Sequence, residues 1–372
     1  MVRHGLRSLT VVLMLALPAM SAAAEHDDAT MRRLIEATVT HHIVPRYARL
    51  AEATAALDGA AAAFCTVHDG AGLERVRAAY INASDAWQGI QHIRFGPAEL
   101  FMRTTRLSFW PDPRNVAGRQ LEELLAAGDR AALTPAAIAR ASVAVQGFPA
   151  LERLLFDGDA DGILTPGDAA AFRCDLLRAI ALNVATMAAE MQRDWIGGKG
   201  AWAKILVRAD GSYGSRYQAP KEVVTDLLKA LHLAVELVAD HKLARPLGAS
   251  AGAARPRLAE AWRSQRSLAH VRSNLAAAAA LYEGKGGWGL SAFVREAARD
   301  AVLDDLLRRA FAQTQASAEA IGKPLEVAVA DPAARPAVEQ LQREARALKA
   351  LIAQRLAPAL GTPVGFNALD GD

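Results

Sequence analysis

The chain has 372 residues, of which 52% are hydrophobic and 22% charged, which excludes a disordered protein and leaves room for two folded domains. The formal net charge is only +3 and the basic residues are dispersed, so nothing favours a nucleic-acid-binding protein. Frequent alanine and only 6% aromatic residues favour closely packed helices.

Residues 1–24 have the pattern of a secretory signal peptide. Arg3 and Arg7 supply the positive start, residues 9–19 are apolar, and three alanines at 22–24 form a small-residue cleavage site. The alternative interpretation is a buried N-terminal helix. Since the apolar stretch is too short to span a bilayer well and no later segment is more apolar, we predict export to the periplasm and no transmembrane segment in the mature chain.

Apolar residues recur every three or four positions along most of the chain. Leu176, Ile180 and Val184 show this spacing, which buries one face of a helix, and there is no convincing strand alternation. The sequence therefore predicts an all-α protein. The predicted helices lie at about 28–57, 71–95, 134–156, 167–195, 221–243, 256–283, 289–318 and 333–357, with a kink at Pro45.

A glycine-rich segment at 197–220 separates four predicted helices on each side, so we predict two four-helix bundles, at 25–196 and 221–372. The two halves share a faint repeat. Asp85-Ala86-Trp87 precedes His92, and Glu260-Ala261-Trp262 precedes His270. This fits an internal duplication, although chance similarity explains so short a match equally simply. If the halves are related, His92 and His270 could meet, whereas His41 and His42 are expected to be exposed.

The chain contains two cysteines, Cys65 and Cys174. An even count in an oxidising compartment predicts one disulfide, with two buried thiols as the alternative. Because there is no Cys-x-x-Cys motif, a redox-active dithiol is not expected.

An acidic segment at 157–168 has the spacing of a calcium loop. Asp157, Asp159 and Asp161 occupy positions one, three and five, and Asp168 occupies position twelve. The closing aspartate is shorter than the usual glutamate, so an acidic, glycine-rich turn is the alternative. A bound calcium would act as a structural clamp between two helices.

Three segments are distinctive in combination, namely QGIQHIRFGP at 88–97, SFWPDPRN at 108–115 and QGFPALERLLF at 146–156. In this order they resemble the imelysin-like family, also described as insulin-cleaving metalloproteinase-like, and the second half adds EAWRS at 260–264. The resemblance covers nearly the whole mature chain. It implies two helical bundles, an envelope location and a link to iron acquisition, and some members are described as peptidases.

The family's hallmark is Gly-x-His-x-x-Glu, which is proposed to bind a metal. Gly147 and Glu152 match this motif, but Pro149 stands where histidine is expected, and proline offers no side-chain ligand. The chain therefore resembles a branch without the motif histidine, and we predict no catalytic residue. Pro149 is also expected to bend its helix. Glu152 is expected either to have a functional role or to pair structurally with an arginine such as Arg94 or with a helix N-terminus.

The sequence favours a non-enzymatic periplasmic binding protein that supports the acquisition of iron or another metal. Its ligand, a small molecule or a metal ion, would lie between the bundles beside Arg94, Trp110, Arg114 and Glu152. One alternative is a metallopeptidase with an altered metal site, and another is a structural module that binds an envelope protein. No cofactor is certain: calcium rests on the acidic loop, and iron rests on the family resemblance.

Overall fold

The computed structural model describes residues 26–198, 200–212, 215–284 and 288–362, and these contain helices and turns but no β-strand. The all-α prediction is confirmed, while the signal peptide predicted at 1–24 lies outside the described residues. The first half contains α1 (Asp28–Thr38), α2 (Val44–Val67), α3 (Gly70–Gln88), α4 (Arg103–Leu107), α5 (Val116–Ala127), α6 (Pro135–Arg140), α7 (Phe148–Phe156), α8 (Asp168–Ile196) and α9 (Trp202–Arg208). The second half contains α10 (Pro220–Glu236), α11 (Ala244–Leu247), α12 (Ser267–Glu283), α13 (Leu290–Glu296), α14 (Ala301–Ala320), α15 (Leu325–Ala328), α16 (Arg335–Leu351) and α17 (Ala357–Ala359). Short 3₁₀ turns lie at Gly96–Ala98, Leu100–Met102, Arg130–Leu133, Val143–Val145, Ala160–Leu164, Ala251–Ala253 and Pro256–Leu258.

Three π-helical turns join neighbouring helices into longer rods. Val39–Ile43 joins α1 to α2, Leu237–Leu243 joins α10 to α11, and Ile352–Leu356 joins α16 to α17. In the first, the Val44 amide donates to a carbonyl five residues back rather than four. Pro45 follows directly in the first turn of α2, so the irregularity predicted there takes the form of a π turn.

Several predicted boundaries are wrong, and prolines and glycines account for them. The helix predicted at 134–156 is three separate pieces, and α5 was not predicted. Pro149 lies in the first turn of α7, where its missing N–H would be unpaired anyway, so the predicted bend is absent. The helix predicted at 256–283 begins only at Ser267, after an irregular turn.

The largest hydrophobic cluster contains residues from both halves of the chain. It runs from Leu34 on α1 and Trp87 on α3 to Val224 on α10 and Phe311 on α14, all of them buried. A smaller cluster lies entirely in the second half. The segment 197–220 is not a plain linker, since α9 lies within it and packs against α1 and α8. The division into two domains at this segment stays a prediction.

The first half begins with a long helical rod that ends at a disulfide. The continuous helix Asp28–Val67 is long and apolar enough to cross a membrane by length and composition, contrary to the expectation that no such segment follows the signal peptide. Leu57 and Phe64 on this helix are nevertheless buried in the core, whereas Val67 at its end is exposed. At its end, Cys65 forms a disulfide with Cys174 on α8, with the Cα atoms 5.7 Å apart. The predicted disulfide is confirmed.

The duplication is not confirmed by local structure. Trp87 lies on α3 and is 1% exposed, whereas Trp262 lies half-buried in an irregular turn. The two matching tripeptides therefore adopt different conformations.

Candidate functional site

Residues 259–266 form an irregular turn whose side chains contact both halves of the protein. Ala261 and Gln265 have φ angles of 55° and 57°, in the left-handed region that costs a non-glycine residue about 1 kcal/mol or more. The turn is closed by the Arg266 amide, which donates to the Ala261 carbonyl at 3.0 Å. Neighbouring contacts must hold this strained backbone in place, and strain of this kind is typical of functional segments.

Glu260, in this turn, is the centre of a buried polar network. Its carboxylate forms an ion pair with the Lys242 ammonium and lies 3.3 Å from both His270 Nδ1 and the Gln88 amide nitrogen. Burial alone would raise the pKa of Glu260, but Lys242 and His270 outweigh it and hold that pKa far below its usual range. Burial lowers the pKa of Lys242, while the charge of Glu260 opposes that shift.

The network also joins α3 to the second half. The Gln88 side-chain oxygen accepts from Lys242 at 2.6 Å, and the Gln88 carbonyl accepts from the Asn274 amide at 2.7 Å. One turn before Gln88, Asp85 pairs with Arg266 at 2.5 Å. The faces of the two halves are thus joined by charged and amide groups rather than by apolar contacts alone.

Two of the predicted ligand residues lie beside this network. The Arg94 guanidinium is half-buried. Burial lowers its pKa, and the charges of Glu260 and Glu236 oppose that shift. The ring of Trp110 is centred 5.9 Å from the Lys242 nitrogen. Arg114, in contrast, is exposed to solvent.

Glu152, the motif carboxylate, contacts the turn rather than Arg94. It is only 5% exposed, and its Oε1 accepts hydrogen bonds from the Ser264 amide at 2.9 Å and the Ser264 hydroxyl at 2.8 Å. Burial raises the pKa of Glu152, and the two bonds from Ser264 oppose this rise. The hydrogen bonds of Glu152 thus come from Ser264 and not from Arg94, the arginine named from the sequence.

A cavity of about 510 Å³ opens between α7, the start of α5 and the turn. Pro149 and Glu152 line one side, Asp112 and Asn115 another, and Trp262 a third. The volume is typical of small-molecule sites.

Gly147 allows α7 to approach α4 at this place. A Cβ on Gly147 would lie 2.2 Å from the Leu107 carbonyl oxygen, a distance that real Cβ atoms do not show. The motif glycine is therefore required by close packing of backbone, independently of any ligand.

The residues at the motif do not fit a bound metal. Pro149 lines the cavity without a side-chain ligand atom, and Oε1 of Glu152 already accepts two hydrogen bonds from Ser264. Nowhere in the part of the chain that the structure describes do three His, Cys, Asp or Glu side chains lie close enough to hold a metal ion. This arrangement lacks the ligand set that zinc or iron requires.

The four carboxylates of the predicted calcium loop are not brought together. The last of them, Asp168, is exposed at the first residue of α8. The other three each pair with a different arginine: Asp157 with Arg263, Asp159 with Arg173 and Asp161 with Arg77. The calcium loop stays a prediction from sequence spacing alone.

Two histidines meet in the interior of the first half. His42 Nε2, in the first π turn, lies 2.9 Å from His92 Nε2, and both rings are buried. Burial lowers the pKa of His92 to about 3 and that of His42 well below its usual value, so both are neutral at pH 7. His41 is exposed as expected, but the expectation for His42 is wrong, and His92 meets His42 rather than His270.

Sequence reasoning missed Lys242 and Arg263 and did not assign Glu260 a role. The last two lie in the distinctive EAWRS segment, so the signal was present but was not connected to chemistry. Lys242 gave no signal, because the π turn that contains it shifts the helical spacing on which a buried face is recognised.

Comparisons with known proteins agree with the fold. The family model described as Imelysin, Peptidase M75, matches residues 43–354. Iron-regulated protein A of Synechococcus elongatus is 23% identical over 346 residues, which cover 91% of this chain and 89% of that protein.

Two solved structures have the same fold. An imelysin-like protein from Psychrobacter arcticum is 22% identical with a TM-score of 0.75, covering 92% of this chain and 99% of that one. A protein from Parabacteroides distasonis, described as an iron-regulated protein A precursor, is 19% identical with a TM-score of 0.72, covering 89% and 97%.

Proposed function

The chain belongs to the imelysin family, and from this premise we propose that it is a non-enzymatic binding protein of the bacterial periplasm that supports the acquisition of iron or another metal. The observation that carries the proposal is the cavity of about 510 Å³ beside the family's motif segment, walled by α7 and by the strained turn. The link to iron is supported by similarity to proteins called iron-regulated protein A.

The chemistry of the cavity favours binding over peptide hydrolysis. A metallopeptidase needs protein ligands for its metal and an open position for water. Pro149 offers no ligand, and the carboxylate of Glu152 already accepts two hydrogen bonds from Ser264. The charged and aromatic side chains that line the cavity, such as Asp112 and Trp262, are those that orient a bound ligand.

The periplasmic location is supported by two observations. Residues 1–24 have the composition of a signal peptide. Cys65 and Cys174 form a disulfide, which persists in an oxidising compartment.

Ligand-dependent thermal stabilisation tests the binding function. The exported protein is heated in the presence of metal ions and of metal complexes with organic chelators, and we expect at least one compound to raise the Tm. Leu258→Trp, which narrows the cavity, should abolish the rise, whereas Leu306→Trp on the exposed face of α14 should not. The proposal fails if no compound acts, or if both variants respond like the natural protein.

A protease assay separates binding from peptide hydrolysis. We expect no cleavage of casein or insulin, with or without added zinc or iron. Chelator-sensitive cleavage would support the metallopeptidase and contradict the proposal.

A further inference from the structure

The carboxylates on the wall of the cavity are already supplied with donors by the protein. The two oxygens of Asp112 accept from the Val116 and Ala117 amides, each at 2.8 Å, at the start of α5. In Glu152 a single oxygen, Oε1, accepts both hydrogen bonds from Ser264. Part of the acceptor capacity of these two carboxylates is therefore already used by N–H and O–H groups of the protein itself.

The guanidinium groups of the cavity, in contrast, have few carboxylates to pair with. Arg153 and Arg263 share a single carboxylate, Asp157. Arg257 is exposed, and among the described residues no carboxylate lies within 4.0 Å of it. Since each guanidinium has five N–H donors, donors outnumber the acceptors that the protein provides here.

Two of these arginines lie close to the ring of Trp262. The Arg263 guanidinium lies 4.4 Å from the centre of its ring, and that of Arg257 lies 5.4 Å from it. A guanidinium within about 6 Å of an aromatic ring is attracted to the face of that ring, and its N–H donors can still bind a carboxylate with two parallel hydrogen bonds.

We infer that the cavity binds a small anion with several carboxylate groups, held by Arg257 and Arg263 over Trp262. This inference rests on the proposed function and specifies it: the metal would enter as an anionic complex with a carboxylate chelator, since the cavity lacks ligands for a bare ion. Free chelator and its iron complex share the carboxylate chemistry, so both belong to the test.

Calorimetric titration of the full-length exported protein tests the inference. The probes are citrate, ferric citrate, ferrous ion alone and triethyl citrate. The last has a similar carbon skeleton to citrate but no charge. We expect citrate or ferric citrate to bind and triethyl citrate not to bind. Comparison of the first two shows whether free chelator or its iron complex is the preferred form.

A matched pair of variants locates the binding site. Arg257→Gln should weaken the binding of citrate or ferric citrate by at least about tenfold, because a charge-assisted hydrogen bond is lost. Arg255→Gln, an exposed arginine two residues away that does not line the cavity, should bind like the natural protein.

Two results would overturn the inference. In one, triethyl citrate or ferrous ion alone binds as tightly as the anions, with loss of binding in Leu258→Trp; the proposed function would then stand with a different ligand class. In the other, neither citrate nor ferric citrate binds, or the two arginine variants behave alike. The proposed function itself fails only if the wider panel of metals and complexes also has no effect.

Discussion

Lys242 carries its charge where water cannot reach it, with a side chain that is 1% exposed. Replacing one partner of a buried ion pair leaves the other charge uncompensated, so Lys242→Met should lower the free energy of unfolding by about 3 kcal/mol. Urea unfolding measures the loss, and adding Glu260→Gln to the variant should recover part of it.

The control for this prediction is Lys349→Met. Lys349 pairs with Asp240 near the surface, where both side chains are more than a quarter exposed. Such a pair contributes less than about 1 kcal/mol, so this variant should remain close to the natural protein. Equal losses in the two variants would contradict the assigned role of Lys242.

The buried histidine pair predicts a dependence of stability on pH. Both folded-state pKa values are lowered, so below about 6.5 the unfolded chain binds protons that the folded chain does not. The free energy of unfolding should therefore fall as pH decreases from 6.5, approaching about 1.4 kcal/mol per pH unit for each histidine. For His92 this loss continues to about pH 3.

Two neighbouring residues allow this to be tested by chemical denaturation between pH 6.5 and 5.5. His42→Gln should reduce the slope of stability against pH. His41→Gln should leave it unchanged, because His41 is exposed. A slope that is the same in all three proteins would show that the buried pair does not titrate as described.

Single residues could be predicted where their chemistry is local and not where it depends on the fold. Pairing of Cys65 with Cys174 followed from their number and compartment. Glu152 was recognised as important, but its partner Ser264 is 112 positions away and reaches it only through an irregular turn. Nothing in local spacing indicates such a contact.

At the scale of elements, Gly147 sets how closely α7 approaches α4. Gly147→Ala places a methyl group against the Leu107 carbonyl and should cost about 1–3 kcal/mol. Gly158→Ala, in the turn after α7, meets nothing within 4 Å and should leave stability nearly unchanged. Thermal unfolding compares the two variants, and similar Tm values for both would show that the backbone contact is not limiting.

The disulfide connects α2 to α8 across 109 residues of sequence. Replacing Cys65 and Cys174 by alanine releases a large loop in the unfolded chain, and the free energy of unfolding should fall by about 2–5 kcal/mol. Reduction of the natural protein should produce a similar loss. Two free thiols in the unreduced, unfolded protein would refute the bridge.

Helix positions could be predicted where the apolar period is uninterrupted, as in α8. Predictions failed where a proline or glycine is compatible with more than one local structure. Pro149 starts a helix, whereas a proline inside a helical pattern suggests a bend. The turn at 259–266 could not be predicted, because its non-glycine residues have left-handed conformations that tertiary contacts impose.

For the whole molecule, the main hydrophobic cluster spans both halves, and the Glu260 network joins them. We therefore expect one cooperative unfolding transition, with equal calorimetric and van't Hoff enthalpies. Scanning calorimetry of the exported protein measures both enthalpies. Two separate transitions would instead indicate halves that fold independently on either side of 197–220.

The buried side chains of His42 and Lys242 both belong to π turns. Each such turn holds one residue more than an α-helical turn. Such a turn corresponds to a single-residue insertion into a regular helix. Removing one residue from Leu237–Leu243 would restore regular α-helical spacing, and it would change the directions in which the side chains of the turn point, that of Lys242 among them. Lys242 and the apolar face of α10 could then not both keep their places. The Glu260 network thus depends on the number of residues in this helical rod as well as on their side chains. Substitutions alone could not build the same network on an uninterrupted helix.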